Sequence, residues 1–258
     1  VLGFDSVPQP TYKDKDLRKA VALEKAKAQD ETEVFANDSK KKIYMHWMYD
    51  VPMGEQLDDD GDSLESIEGC LTDAQYNRDE HRKAVIDDIL DNWVSQSHNG
   101  KFHAILATSS IPEAIKYYKL FAQRDCGLKT TAVFDPSDGN NESSIEKIDG
   151  IAQMLEDYNS LFGTCFNISG YASFKRDVCA RLAHKTPYTA VENEPSKCLD
   201  ILIVVDQMLT GYDSKWLNTL YMDKFYKWSN IEMIIQAFSR TNRVFNDDKP
   251  HGIIRYYR

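Results

Sequence analysis

The run Leu199-Asp200-Ile201-Leu202-Ile203-Val204-Val205 constrains this chain more than any other stretch. It is apolar at every position but one and rich in β-branched residues, with no polar face to turn toward water. A strand of that kind is stable only where both of its faces are covered, which means the interior of a parallel sheet packed under helices. The text around it repeats the theme. Lys101–Thr108, Thr130–Phe134, Thr219–Met222 and Gly252–Tyr257 read as further strands, and Asp79–Val94, Ile145–Leu161, Phe174–Lys185 and Ile231–Ser239 as helices between them. In the first of these helices Val85, Ile86, Ile89, Leu90 and Trp93 share one face. Ser110-Ile111-Pro112-Glu113 opens another, with Ser110 as cap, Pro112 in the first turn and Glu113 closing a capping box, and this helix is expected to bury Ala114, Ile115, Tyr118 and Phe121. The expected fold class is α/β, a mostly parallel sheet flanked by helices.

Residues 1–78 carry weaker signals and are read as a separate N-terminal segment, with 79–258 as the main domain. Lys13–Gln29 is charged and alanine-rich, an exposed helix. Lys42–Tyr49 is aromatic and β-prone, and is expected to pair with a neighbouring sheet. Gly54–Gly69 is an acidic loop; its Asp58-Asp59-Asp60 lacks the alternating ligands and closing glutamate of a calcium loop, so solvation is the better reading. Asp135–Ser144 is a surface loop.

Lys plus Arg is 31 and Asp plus Glu is 41, a formal charge of −10, which argues against a protein that coats nucleic acid non-specifically. It leaves room for a few local phosphate contacts. The five cysteines (Cys70, Cys126, Cys165, Cys179, Cys198) show no metal or disulfide spacing. No apolar run approaches the ~20 residues of a membrane span. A reducing cytoplasm is therefore the expected setting.

Two clusters carry chemistry. After the apolar run comes Asp206-Gln207-Met208-Leu209-Thr210-Gly211-Tyr212-Asp213, a loop whose Thr-Gly step permits close backbone approach to a phosphate; alone, it is equally a strand, a turn and a capping aspartate. The second is Gln236-Ala237-Phe238-Ser239-Arg240-Thr241-Asn242-Arg243. Its arginines stand three residues apart, so both can leave one helical face and meet a γ-phosphate with two rigid guanidinium forks; alone, they also suit a helix C-terminus that favours cations.

Order and separation decide between these readings. Gln-x-x-Ser-Arg-x-x-Arg resembles motif VI of superfamily-two helicases, and Thr-Gly-Tyr-Asp after an apolar strand resembles motif V. The phrases HNGKFHAILATSSIPEAIKYYKLF (ending at Phe121), DILIVVDQMLTGYDSKWLNTLYMDK (200–224) and QAFSRTNRV (236–244) resemble the motor subunit of type I restriction-modification enzymes, over roughly residues 80–258. That resemblance implies the second RecA-like lobe of an ATP-driven translocase. It implies that Arg240 and Arg243 are arginine fingers and that Gln236 helps place the γ-phosphate or attacking water. Gly211 and Asp213 would line the nucleotide, and Thr210 would face the DNA backbone. The turn Thr108-Ser109-Ser110 would touch a DNA phosphate, a role that free helix-terminal N–H groups and two hydroxyls suit on physical grounds as well. The implied cofactors are ATP and Mg²⁺, held mainly by a first lobe. The implied partners are double-stranded DNA and the modification (methyltransferase) and specificity subunits.

No G-x-x-x-x-G-K-[ST] phosphate loop occurs, and Gly100-Lys101 is followed by Phe102, which has no hydroxyl for Mg²⁺. Asp79-Glu80-His81-Arg82 imitates a DExH box, but polar sequence precedes it and Asp79 reads as a helix cap. The opening Val1-Leu2-Gly3-Phe4-Asp5 reads as the interior of a longer protein, so the chain is expected to be a fragment. The rivals are a non-catalytic scaffold lobe that binds DNA or a partner, and a cofactor-dependent doubly wound enzyme that no G-x-G-x-x-G turn supports.

Overall fold

Strands form where β-branched and apolar residues concentrate. Asp5–Pro8 (β1), His103–Thr108 (β2), Thr130–Val133 (β3), Ile201–Val204 (β4), Leu217–Asp223 (β5) and Ile253–Tyr256 (β6) make one sheet in the order β1-β6-β5-β2-β4-β3. Every neighbouring pair is parallel. The computed structural model describes residues 5–8, 14–54, 56, 64–70, 76, 78–124, 126–134, 144–205, 214–224, 238–245 and 248–257.

β4, the core of the apolar run, lies between β2 and β3 with all four residues buried. β2 is central: Ala104–Ala107 pair with Ile201–Val204 on one side, and Ala104–Thr108 with Thr219–Asp223 on the other. The chain divides into two compact units, Val1–Gln9 with Val85–Tyr257, and Pro10–Ala84.

In the first unit, helices cover the sheet. The helix Asp79–Gln96, α4 in chain order after the three helices of the second unit, gives Val85, Ile86, Ile89 and Trp93 to the core. Ile111–Gln123 (α5) buries Ile111, Ala114, Tyr117, Tyr118 and Phe121. Tyr117 is completely buried, whereas Ile115, expected inside, is only partly so. Ser144–Phe162 (α6) adds Ile151, Met154, Leu155 and Tyr158, and Tyr171–Leu182 (α7) adds Phe174, Val178 and Leu182. Each large apolar side chain so buried contributes about 1.5–3 kcal/mol. A buried cation is accommodated beside them. The Arg181 guanidinium sits 3.8 Å from the Phe162 ring and donates to the Tyr158 hydroxyl at 3.0 Å and to Asp177 at 3.4 Å.

In the second unit, Asp14–Lys25 (α1), Glu31–Phe35 (α2) and Asp38–Tyr49 (α3) enclose a small core of Val21, Ala22, Val34, Tyr44, Trp47 and Ile67. The strand expected at Lys42–Tyr49 is therefore helix. Asn37 decides it by accepting from the Ser39 and Lys40 N–H groups at 2.9 and 3.2 Å, and Tyr44, Trp47 and Met48 then fall on one buried face. A helix cap and an apolar face at helical spacing outweigh the β preference of the individual side chains.

Two further differences concern the boundary between segments. β1 pairs with β6, so the sheet takes a strand from the stretch read as an N-terminal segment. The division itself falls after Ala84 rather than Arg78. Asp79-Glu80-His81-Arg82 opens α4 instead of ending a strand, with Asp79 as its first residue. Arg82 is buried and donates to Asp79 at 2.7 Å. Residues 58–60 and 135–143 lie outside the described residues, as do 231–237 of the helix expected at Ile231–Ser239. No helix among the described residues is long and apolar enough to cross a membrane.

At the amino-terminal ends of the strands, the His184 ring stacks on Trp216 at 3.9 Å and pairs with Glu192 at 2.9 Å. Burial pulls the His184 pKa below its ordinary value, although Glu192 opposes the shift, and burial pulls that of His103 well below it. Both rings are therefore held neutral in the fold at a pH where the unfolded chain takes up protons. Stability is lost as pH falls below about 6.5, the unfolded histidine value. The melting temperature of the chain is expected to drop between about pH 7.5 and about pH 5.5. His184→Phe, which keeps the stack but cannot titrate, should show a shallower drop. An equal drop in both proteins would contradict this.

Candidate functional site

Parallel strands end on a common edge, so residues far apart in sequence meet there. β2 ends at Thr108, β4 at Val204 and β5 at Asp223, and Thr108 and Asp223 are register partners. The three chain ends are tied together. The Thr108 hydroxyl donates to the Val204 carbonyl at 3.0 Å, and the Tyr117 hydroxyl of α5 donates to the Asp223 carboxylate at 2.7 Å. Thr108, Tyr117 and Asp223 are all fully buried. Next in sequence, Lys224 is partly buried, and loss of hydration lowers its pKa from the ordinary lysine value.

The turn after β2 divides its labour. Thr108 faces inward and holds β4. Ser110 adopts the extended backbone of an N-cap and accepts from the Glu113 N–H at 3.4 Å. Ser109 is exposed at the mouth of α5. The sequence assigned all three the same phosphate contact. In the structure Ser109 is exposed and Ser110 half-buried, while the Thr108 side chain is committed to the sheet.

The described part of the arginine cluster is a helical turn at residues 238–241. Arg240, half-buried, lies in it. Thr241 is buried, and its hydroxyl donates to the Phe238 carbonyl at 3.0 Å. Asn242 closes the turn through Ser239, and Arg243 is exposed beyond it. The two arginines are thus not on one helical face, because the helix stops between them. Gln236, Thr210, Gly211 and Asp213 lie outside the described residues. Asp223 and Tyr117 are the residues of this edge that sequence reasoning missed. Asp223 stands in the quoted phrase Leu220-Tyr221-Met222-Asp223-Lys224, but nothing local marks a carboxylate there as buried. Tyr117 has the spacing of an ordinary core side chain.

A cavity of about 740 Å³ opens at the opposite, amino-terminal edge, with Trp93, Lys101, Lys129, Asp200 and Trp216 in its wall. It contains none of the predicted site residues. Among the described residues no group of three or more His, Cys, Asp or Glu could hold a metal ion.

The family model for type I restriction enzyme subunit R domain 3 matches residues 100–258. This chain belongs to that family. Relatives include the type I restriction enzyme SsaAORF53P endonuclease subunit of Staphylococcus saprophyticus, 32% identical over 213 residues, which are 79% of this chain and 22% of the relative. The SauMRSORF196P endonuclease subunit of Staphylococcus aureus is 31% identical over 200 residues, 74% of this chain and 20% of the relative. The chain therefore spans about a fifth of the length of these curated relatives. Among solved structures, the Pyrococcus furiosus Hef helicase domain aligns with 92% of this chain and 34% of its own at 12% identity, with a TM-score of 0.37.

Ser110→Ala in this R-subunit domain should cost about 1 kcal/mol in urea unfolding, the usual loss of a serine cap. Ser109→Ala should stay within about 0.5 kcal/mol, as an exposed position away from any cap does. Equal losses at both would contradict the division of labour in this turn.

Proposed function

We propose that this chain is the second RecA-like lobe of the ATP-driven DNA-translocating and DNA-cleaving subunit of a type I restriction enzyme. The observation that carries the proposal is the family match over residues 100–258, which takes in the β2 turn, the loop after β4 and the arginine cluster together. In this reading ATP lies between two lobes. The first, outside this chain, holds the phosphates and Mg²⁺ through a phosphate loop and acidic residues. This lobe supplies Arg240 and Arg243 to the γ-phosphate and Gln236 to the γ-phosphate or attacking water, while Gly211 and Asp213 line the nucleotide. Ser109, Ser110 and Thr210 take DNA phosphates; Thr108 supports them by holding the β2 turn to β4.

The physics suits a division between two lobes. Phosphoryl transfer spreads charge over the γ-phosphate oxygens as the transition state forms, and a guanidinium fork stabilises that charge most when it arrives preorganised. If the arginines belong to one body and the phosphate loop to another, hydrolysis requires closure, and closure can be coupled to movement along DNA. The partners are double-stranded DNA and the modification and specificity subunits, in the cytoplasm. The acidic balance of the chain fits DNA contacts that are few, local and sensitive to salt.

The isolated chain should show no steady ATP hydrolysis, with or without DNA, because it offers one side of a two-sided site; DNA-stimulated turnover by the chain alone would overturn the two-lobe reading. In the assembled full-length enzyme, Arg243→Ala should lower DNA-stimulated ATP turnover by on the order of a thousandfold. Arg243→Lys should not restore it, because an ammonium lacks the planar fork. Arg240→Ala should have a similar effect. Arg176→Ala, an exposed cation on α7, serves as the silent control. Near-normal turnover of both Arg240→Ala and Arg243→Ala would mean that the active-site assignment is wrong.

A further inference from the structure

Gly252 stands directly before β6 and is buried. A Cβ added there would lie 2.3 Å from the Thr241 Cβ, 2.4 Å from its hydroxyl oxygen and 2.4 Å from its carbonyl oxygen. Real Cβ atoms essentially never approach closer than 3.0 Å. One of the three neighbours is backbone, so no change of rotamer relieves the overlap, and the segment itself must move. Gly252 does not have a positive φ, so the demand for glycine comes from contact rather than from torsion.

Both partners in this contact are fixed. Beyond Gly252, Ile253 and Ile254 pair with Thr219 and Leu220 of β5. On the other side, Thr241 is buried and bonded within its helical turn, one residue after Arg240 and two before Arg243. The stretch between them is anchored too. Phe245 and Lys249 exchange backbone hydrogen bonds at 3.0 and 3.1 Å, and the buried Lys249 ammonium donates to the Leu217 and Lys215 carbonyls at 2.5 and 3.2 Å.

We infer that Gly252 is a positioning residue for Arg240 and Arg243, setting how far the arginine segment stands from the sheet. The inference rests on the role proposed above for those arginines. Any side chain at 252 moves Thr241 from 2.4 Å toward an ordinary contact distance of 3.4 Å, a displacement of about 1 Å. A misplacement of about 1 Å in a catalytic constellation costs on the order of a hundredfold in rate.

The test uses the assembled full-length enzyme on long duplex DNA, with kcat and KM for ATP measured below the melting temperature of every variant. Gly252→Ala should lose kcat by about a hundredfold with KM little changed, since the first lobe holds most of the nucleotide. Ile254→Ala, which opens a cavity in the same strand away from the contact, should melt earlier yet keep its kcat when folded. If Gly252→Ala does not fold, Thr241→Ala takes its place. It removes the hydroxyl bond and part of the packing, and should lower kcat several-fold with KM unchanged, whereas Thr241→Ser should retain wild-type kcat. Wild-type kcat in Gly252→Ala or Thr241→Ala, in an enzyme that Arg243→Ala inactivates, overturns the positioning role and leaves the arginine reading standing. So does a loss of kcat in Ile254→Ala as large as that in Gly252→Ala. Full activity of both Arg240→Ala and Arg243→Ala removes the arginine reading itself.

Discussion

Parallel pairing of β2 between β4 and β5 is the interaction on which the rest depends. Parallel strands cannot be joined by tight hairpins, so each must be followed by a crossover that returns the chain to the starting edge. That requirement brings helices onto the sheet and explains why the strands can be apolar on both faces. It also sends every strand out through the same edge. Thr108, Val204 and Asp223, separated by up to 115 residues of chain, end side by side because the register aligns them. Ligand sites in open α/β sheets gather at this edge for the same reason.

The edge is stiffened by side chains that take no part in the proposed chemistry. The Thr108 hydroxyl joins β2 to β4, and the Tyr117 hydroxyl joins α5 to the end of β5. Removing one partner of such a buried bond leaves the other without water or a substitute, which costs about 1–3 kcal/mol. At the far end of the strands an aromatic group does similar work. Phe102, Trp216 and Phe245 meet at ring-centroid distances of 4.5–6.1 Å, and the Lys215 ammonium lies 4.6 Å from the Phe245 ring. Phe245 follows Arg243 by two residues, so the arginine segment is held at one end by this packing and near Thr241 by Gly252. A lobe that must deliver cations to a phosphate on closure gains from such rigidity, because the geometry is set before the two lobes meet.

The sheet was largely legible because its signal is local: β-branched runs separated by amphipathic helices at the spacing of Val85, Ile86, Ile89 and Trp93. The family was legible because its phrases are long. What escaped depends on the rest of the fold. β1 is short and polar, ends in a proline, and exists through pairing with β6. The aromatic residues of Lys42–Tyr49, taken singly, favour strand, and only the Asn37 cap before Asp38-Ser39 turns them into the helix α3. The end of the helical turn at Thr241 separates Arg240 from Arg243 in a way that three-residue spacing does not foretell. The need for glycine at 252 appears only when Thr241 is brought against it.

In the proposed function this lobe presents its arginine segment to ATP held by another lobe. The most direct measurement is a structure of the full-length subunit with Mg²⁺, ADP and a metal-fluoride mimic of the transferring phosphoryl group, on duplex DNA. Guanidinium nitrogens of Arg240 and Arg243 are expected within about 3 Å of the mimic's fluorides, the range of a direct hydrogen bond. Both arginines turned away from the nucleotide in a closed, DNA-bound complex, with other cations on the mimic, would contradict it.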